Sequence, residues 1–310
     1  MSSAKVYICR RQCEEPRSEF MDGNPGGSSK LSIRSGKSST FSLLSKCGSK
    51  MRNIIHDNSP LVAHLPDLVL EQIFKYLNST ELYSCMLVCS HWSHVLNSEC
   101  SIAWRSLAHR KLPSCALSDS HLLSKVNTYK MKLRALSFAW HPIGIDRDYC
   151  VCGDVFTAHR YGQICARGVR AKRGVSSGLH AFDIVWNGPL GVLAVVGVGT
   201  RNAYLRCLGH WGCGTADEQY WGWNLAKNRL LHANRRLRVY PRGKDFSTYK
   251  KGERIRLVID CDRHVVYFRS ASGTFLGTAF SNLPSVELYP TIWAGQRLAN
   301  VSMVYIGHPH

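Results

Sequence analysis

The sequence is short of acidic residues and of long apolar runs. Its 310 residues include 21 Asp and Glu against 40 Lys and Arg, which gives a formal net charge of +19. No apolar run approaches the ~20 residues that a membrane-spanning helix needs. The stretch from Met1 to Lys5 leads into no apolar segment and position 2 is serine, so we expect neither a secretory signal nor myristoylation. These absences predict a soluble, intracellular protein without a membrane span.

Cysteine is frequent but follows no recognisable framework. The 13 cysteines are an odd number, which favours reduced thiols over a disulfide scaffold. The run from Gly197 to Thr200 lacks the lysine of a phosphate-binding loop. Two groups of Cys and His lack the paired C-x-x-C spacing of a structural zinc site: His141 with Cys150 and Cys152, and Cys207, His210 and Cys213. We therefore expect no cofactor, no metal ion and no catalytic residue.

The positive charge is spread along the chain rather than gathered into one stripe. Only Ala171 to Arg173 and Arg235 to Arg238 form compact basic clusters. A solvated basic surface that steers acidic partners is favoured over nucleic-acid binding, which stays an open alternative. Residues 1–56 are poor in large apolar side chains and rich in Ser, Gly and Lys, so they predict a disordered basic tail.

A helical pattern begins at Leu65-Pro66. Asn78 and Glu81 form a capping-box pair for a second helix, a third short helix contains Trp92, and Trp104 follows. So small a unit buries little core of its own and gains from burying a face against a partner. The apolar residues of the first helix recur at i, i+3, i+4 and i+7: Leu70, Ile73, Phe74 and Leu77.

The second half of the chain has the period of β-strands. A linking helix is predicted first, and the period-2 pattern begins at about Leu136. Many short strands separated by Gly, Asn, Asp and Pro turns predict an all-β sandwich, so the fold class is a multidomain α+β chain. The linking helix is predicted from Leu122, Val126, Tyr129 and Leu133, and clear strands are predicted at Phe182 to Trp186, Val192 to Val198, Arg254 to Ile259, Val265 to Phe268 and Asn300 to Ile306.

Two sets of residues carry a resemblance to known domains. The helical segment resembles the F-box at Leu65, Pro66, Leu70, Ile73, Phe74, Leu77, Leu82, Val88, Cys89, Trp92 and Trp104. The second half resembles the SPRY (B30.2) domain at Lys172 to Ala181, Val195 to Val198, Trp221 to Leu225, Gly252 to Asp260, Phe275 to Phe280, Leu288 to Pro290 and Met303 to Ile306. The order and spacing of the two domains are similar to those of F-box/SPRY proteins of the Fsn type.

This resemblance implies a domain plan and a function. The plan is a tail at 1–56, an F-box at 57–108, a linker at 109–115 and a SPRY domain at 116–308. The implied function is that of a non-catalytic substrate receptor of a ubiquitin ligase. Its F-box would bind a Skp-type adaptor, and its SPRY domain would bind a target or a RING ligase of the Highwire/PAM class. The family's behaviour further implies action at synapses and cell junctions, where terminal growth is restrained by limiting a dual-leucine-zipper kinase.

The resemblance also implies two binding surfaces. Alternatively, any one of the F-box residues faces inward and stabilises the small domain instead. Trp211 and Trp293 are alternatively interpreted as buried core residues of the sandwich. In the related SPRY/SOCS-box family a tryptophan stands at the position of Gln296 and a tyrosine at that of His210, so a different target segment is expected. The predicted adaptor-binding residues are Leu65, Pro66, Leu70, Ile73 and Phe74, and the predicted partner-binding residues are His210, Trp211, Trp293, Gln296 and Arg297.

Two alternative functions stay open. A scaffold that binds partners through SPRY without productive ligase coupling needs the same apolar F-box face, so the sequence does not separate it from a receptor. A basic nucleic-acid-associated protein predicts binding that weakens steeply with salt.

Overall fold

A computed structural model describes residues 65–142, 149–162, 167–205, 218–233, 235–242 and 248–308. The tail predicted at 1–56 lies outside these residues. Within them, the chain forms a group of short helices followed by a two-sheet β-sandwich, which confirms the predicted fold class in the described part. No helix in these ranges is long and apolar enough to cross a membrane.

The helices are short, and local capping explains where several of them begin. The Asn78 side chain accepts a hydrogen bond from the Glu81 backbone N–H while the Glu81 carboxylate accepts one from the Asn78 N–H, so the predicted capping box is confirmed. Pro66 stands directly before the first helix, as predicted. The helices are α1 Asp67–Phe74, α2 Ser79–Cys85, α3 Ser90–Asn97, α4 Ile102–Lys111, α5 Ser114–Ser118 and α6 Tyr129–Ser137.

The strands pair antiparallel in two sheets. One sheet has the order β1-β2-β13-β4-β9-β10-β11 and the other the order β3-β12-β5-β6-β7-β8. Phe182, Ile184 and Trp186 of β4 face the interior, as their alternation predicted, and β5 is buried along its whole length. The strands are β1 Tyr149–Val151, β2 Thr157–Arg160, β3 Arg167–Arg170, β4 Leu179–Trp186, β5 Ala194–Thr200, β6 Tyr220–Asn224, β7 Arg229–His232, β8 Arg235–Val239, β9 Arg254–Asp260, β10 Val265–Arg269, β11 Phe275–Phe280, β12 Leu288–Ala294 and β13 Asn300–Gly307.

The linking helix is shorter than predicted and the strands begin later. The Asp119 side chain accepts hydrogen bonds from the N–H groups of His121 and Leu122, which holds this segment in a turn. Thr128 then caps α6 by accepting from the Met131 N–H. Leu136 therefore lies in a helix, and the prediction that strand structure begins there is wrong. Residues 109–115 include the end of α4 and the start of α5, and the domain boundaries themselves stay predictions.

Helix α6 joins the helical unit to the sandwich. Tyr129 and Leu133 are partly buried, and each packs against both hydrophobic cores. The Lys130 ammonium reaches the Asn97 side-chain oxygen at 3.0 Å, and its burial lowers its pKa. Just beyond α6, the Phe138 ring stacks on Tyr305 of β13 at 4.3 Å between ring centroids. These contacts fix the helical unit against one part of the sandwich.

Candidate functional site

The helical unit has a small core of its own. Leu70 and Phe74 of α1 are 0% and 1% exposed, and the Phe74 ring meets Trp92 edge-on at 5.1 Å. Helix α4 closes this core with Trp104, whose indole N–H donates to the Leu96 carbonyl at 2.7 Å. The prediction that Leu70 and Phe74 face an adaptor is therefore corrected, because a fourth helix covers them.

Polar contacts near both ends of α4 hold α1 against it. The buried Glu71 carboxylate accepts a 2.7 Å hydrogen bond from the Ala103 N–H in the first turn of α4. An anion at a helix N-terminus is favoured by the helix dipole. Arg110, near the end of α4, donates to the carbonyls of Lys75 and Leu77 just beyond α1. These anchors leave the opposite side of α1 turned outward.

That outward side of α1, together with the turn that follows the helix, is mostly apolar. Leu68 and Tyr76 are 71% and 76% exposed, and Val69 and Ile73 are also exposed. Val69, Ile73 and Tyr76 recur at i, i+4 and i+7, so helical periodicity marks a second apolar stripe beside the buried one. This second stripe is the signal that sequence reasoning missed. Exposed apolar patches of this kind mark interaction sites.

A second exposed apolar pair lies in the turn between α2 and α3. Leu87 is 87% exposed and Val88 is also exposed. The His91 ring nitrogen lies 2.7 Å from an Asp67 carboxylate oxygen, which joins the start of α3 to the start of α1. This contact brings the turn to the same end of the helical unit as Leu68. We call Leu68, Val69, Ile73, Tyr76, Leu87 and Val88 the apolar face.

The other predicted F-box residues lie at the edge of this face. Pro66 is exposed and Leu65 is partly buried against the small core. Ile73 is the one predicted adaptor residue of α1 that the structure places outward. Its assignment to adaptor binding stays a prediction, as do those of Leu65 and Pro66.

Connecting segments meet at one end of the sandwich. The turn from β12 to β13 carries Gln296 and Arg297, both exposed. Backbone hydrogen bonds fix this turn: the Gly295 N–H donates to the Leu193 carbonyl at 2.7 Å, and the Leu298 N–H donates to the Arg160 carbonyl at 2.9 Å. The turn is therefore held by the β4–β5 connection on one side and by the end of β2 on the other.

A glycine allows the close approach of two of these segments. Gly191 has a φ of +59°, and a Cβ there would stand 2.9 Å from the Cβ and the side-chain oxygen of Gln296. Any larger residue at 191 would displace the Gln296 side chain. Gln296 and Arg297 are thus exposed side chains on a rigid turn, which is the arrangement that recognition loops use.

Trp293 is a core residue, and the prediction that it touches a partner is corrected. It is 0% exposed and packs with Val195, Tyr220 and Leu231. A Cβ at Gly168 of the neighbouring strand would stand 2.8 Å from the indole ring. Strand β12 is buried along its whole length, so Trp293 packs in the core beneath the β12–β13 turn and supports it. His210 and Trp211 lie outside the described residues.

Metal-ligating groups and thiols are the candidate chemical groups among the described residues. Among them, no group of three or more His, Cys, Asp or Glu side chains is placed to hold a metal ion. Burial, together with the neighbouring carboxylates of Asp262 and Asp260, raises the pKa of the Cys261 thiol to about 11. A thiol of so high a pKa is a poor nucleophile at neutral pH. Cys207 and Cys213 lie outside the described residues.

Comparison with known proteins connects this architecture to a family. The F-box-like family matches residues 62–110 and the SPRY domain family matches residues 179–306. An F-box/SPRY domain-containing protein 1 from Caenorhabditis elegans is 46% identical over 248 residues, which cover 80% of this chain and 74% of that protein. The chain belongs to the F-box/SPRY domain-containing protein family. Its relative from Aedes aegypti is 42% identical over 79% of this chain and 95% of that protein.

Members of this family combine an adaptor-binding domain with a target-binding domain. An F-box joined to a SPRY domain indicates a substrate receptor of an SCF-type ubiquitin ligase. The F-box implies a Skp-type adaptor, and the SPRY domain implies a protein target. Among solved structures, the SPRY domain of human HERC1 matches 53% of this chain and 96% of that domain, at 16% identity and a TM-score of 0.42.

Proposed function

We propose that this F-box/SPRY protein binds a Skp-type adaptor through its apolar face. The observation that supports this most is that Leu68 and Ile73 stay exposed although the helical unit has completed its own core. Burying such side chains against a partner is favourable at about 25 cal/mol per Å² of apolar surface removed from water. The adaptor can therefore bury these side chains without disrupting the hydrophobic core of the helical unit.

We further propose that the loop end of the sandwich binds a RING ligase or a target protein. Gln296 and Arg297 are exposed on the β12–β13 turn, and arginine is among the residue types that most often carry binding energy. The proposed partner is a RING ligase of the Highwire/PAM class, or a target such as a dual-leucine-zipper kinase. The proposed setting is the cell interior at synapses and cell junctions, with restraint of terminal growth as the outcome.

In this proposal the chain supplies no chemical step. It raises the local concentration of a target beside a ligase that supplies the chemistry. Helix α6 supports this role, because Tyr129 and Leu133 contact both cores and hold the two binding surfaces in a fixed relation.

Affinity purification of the tagged full chain from neuronal cells tests both surfaces. A Leu68→Asp/Ile73→Asp variant is expected to lose the adaptor and keep the RING ligase, while Ser114→Asp, at an exposed position of α5 outside the apolar face, keeps both. A Gln296→Ala/Arg297→Ala variant is expected to keep the adaptor and lose the ligase. Retention of both partners by every variant would contradict the proposal. Failure of the wild-type chain to capture any adaptor would instead favour a scaffold without ligase coupling.

A further inference from the structure

The outer face of the seven-stranded sheet carries an unbalanced row of charges. Asp183 of β4 lies directly opposite Arg256 of β9, and Arg256 lies directly opposite Arg269 of β10. Residues directly opposite in an antiparallel pair share a face, and like charges in that position repel. Two arginines therefore stand side by side on adjacent strands.

A single carboxylate serves the whole row. Asp183 is 5% exposed, and both of its oxygens are already used. Its Oδ1 accepts from Arg256 Nε at 2.6 Å, and its Oδ2 accepts from Arg256 Nη2 at 3.1 Å and from Arg254 Nη1 at 3.3 Å. Within the part of the chain that the structure describes, Arg269 has no carboxylate partner and its Nε has no hydrogen-bond acceptor. An anion of a bound molecule can therefore pair with the Arg269 guanidinium.

These charges line a groove rather than a flat surface. A cavity of about 350 Å³ is lined by Lys125, Arg254, Arg256 and Arg269, with Asp183 as the only carboxylate among its described lining residues. It shares Asp183 and Arg254 with a neighbouring cavity of about 710 Å³, which lies across the same face of the sheet. Two adjoining cavities across a sheet suit an extended chain better than a compact ligand.

An exposed aromatic ring ends the row. Phe275 of β11 lies opposite Arg269, is 52% exposed and meets the Tyr267 ring edge-on at 5.2 Å. Neighbouring strands lie about 5 Å apart, and alternate side chains of an extended peptide lie roughly 7 Å apart on one side. A peptide with an acidic residue two positions from an apolar one matches this spacing.

We propose that the outer face of the seven-stranded sheet is a second docking surface, which binds an extended acidic segment of a partner protein. Carboxylates of that segment lie between Arg256, Arg269 and Lys125, and an apolar side chain of the same segment packs on Phe275. This surface differs from the loop end at Gln296. It gives the chain's excess of positive charge a local role, because a basic groove attracts and orients acidic partners.

Fluorescence anisotropy with a labelled peptide of Asp-Gly-Phe repeats tests the proposal on the full chain. We expect this peptide to bind at least about tenfold more tightly than one of Asn-Gly-Phe repeats. A Lys125→Glu/Arg269→Glu variant is expected to lose at least about tenfold in affinity. The matched control, Lys227→Glu/Arg229→Glu, makes the same charge change at exposed positions of the other sheet and stays within about twofold of wild type.

Several results would overturn the proposal. Equal weakening by both charge-reversal variants would show a general charge effect without a docking surface, and so would absence of binding by the wild type. Tighter binding of a phosphoserine-Gly-Phe peptide than of the aspartate peptide would show that the surface recognises phosphate and not carboxylate. Loss of the peptide in the Gln296→Ala/Arg297→Ala variant would assign it to the loop end, and would leave the proposed function intact.

Discussion

Phe74 and Ile73 are neighbours in α1 with opposite environments. Replacing each by alanine distinguishes a side chain that stabilises the core from one that lies on the surface. The Phe74 ring is 1% exposed, whereas Ile73 is 38% exposed. Truncating a buried phenylalanine costs about 3–5 kcal/mol, and part of that cost here is the edge-on contact with Trp92 at 5.1 Å. Ile73→Ala removes side-chain atoms that are already partly in water, so it is expected to cost about 1 kcal/mol or less.

Thermal unfolding of the full chain, followed by far-UV circular dichroism, measures this difference. If the chain unfolds as one cooperative unit, the factor is about 2–4 °C per kcal/mol, and Phe74→Ala is expected to lower its Tm by roughly 6–20 °C. Ile73→Ala is expected to lower it by about 4 °C or less. A Tm for Phe74→Ala within about 2 °C of wild type, or a larger loss of Tm in Ile73→Ala, would contradict the assignment of Phe74 to the core and Ile73 to the surface.

Three further predictions concern stability. Asn78→Ala removes the acceptor of the capping box and is expected to cost about 1 kcal/mol in chemical denaturation, with Asn78→Asp close to wild type. Arg110→Met removes the donors to the carbonyls beyond α1 and is expected to lower the Tm, while Lys111→Met, at an exposed neighbour, leaves it unchanged. Burial lowers the pKa of His159 and His180, so the folded state binds fewer protons than the unfolded state just below the unfolded pKa of about 6.5. Stability is therefore expected to fall as pH drops through that range, and a His159→Asn/His180→Gln variant that kept the full slope would rule out this origin.

Local features were predictable from the sequence because their causes are local. The Asn78–Glu81 capping box needs only two side chains three residues apart, and it forms as predicted. The strand at Phe182 to Trp186 follows from alternation of apolar and other residues, and it too is present. Such patterns depend on the period of one element and on little else.

The candidate sites depend on contacts between distant parts of the chain. Phe74 is buried because Trp104 belongs to a fourth helix, and periodicity alone does not say which helix covers which face. Trp293 is buried because Tyr220 and Leu231 from other strands surround it. The basic groove joins Asp183 to Arg256 across a separation of 73 residues, which only the strand order brings together.

In our proposal, the helical unit binds a Skp-type adaptor through exposed side chains and not through its core. Calorimetric titration of the full chain with purified adaptor measures this interaction, using wild type and the Leu68→Asp and Ser114→Asp variants. We expect a saturable one-to-one complex for wild type and Ser114→Asp, and an affinity at least about tenfold lower for Leu68→Asp at unchanged Tm. Equal affinity of all three proteins for the adaptor, or no binding by the wild type, would contradict it.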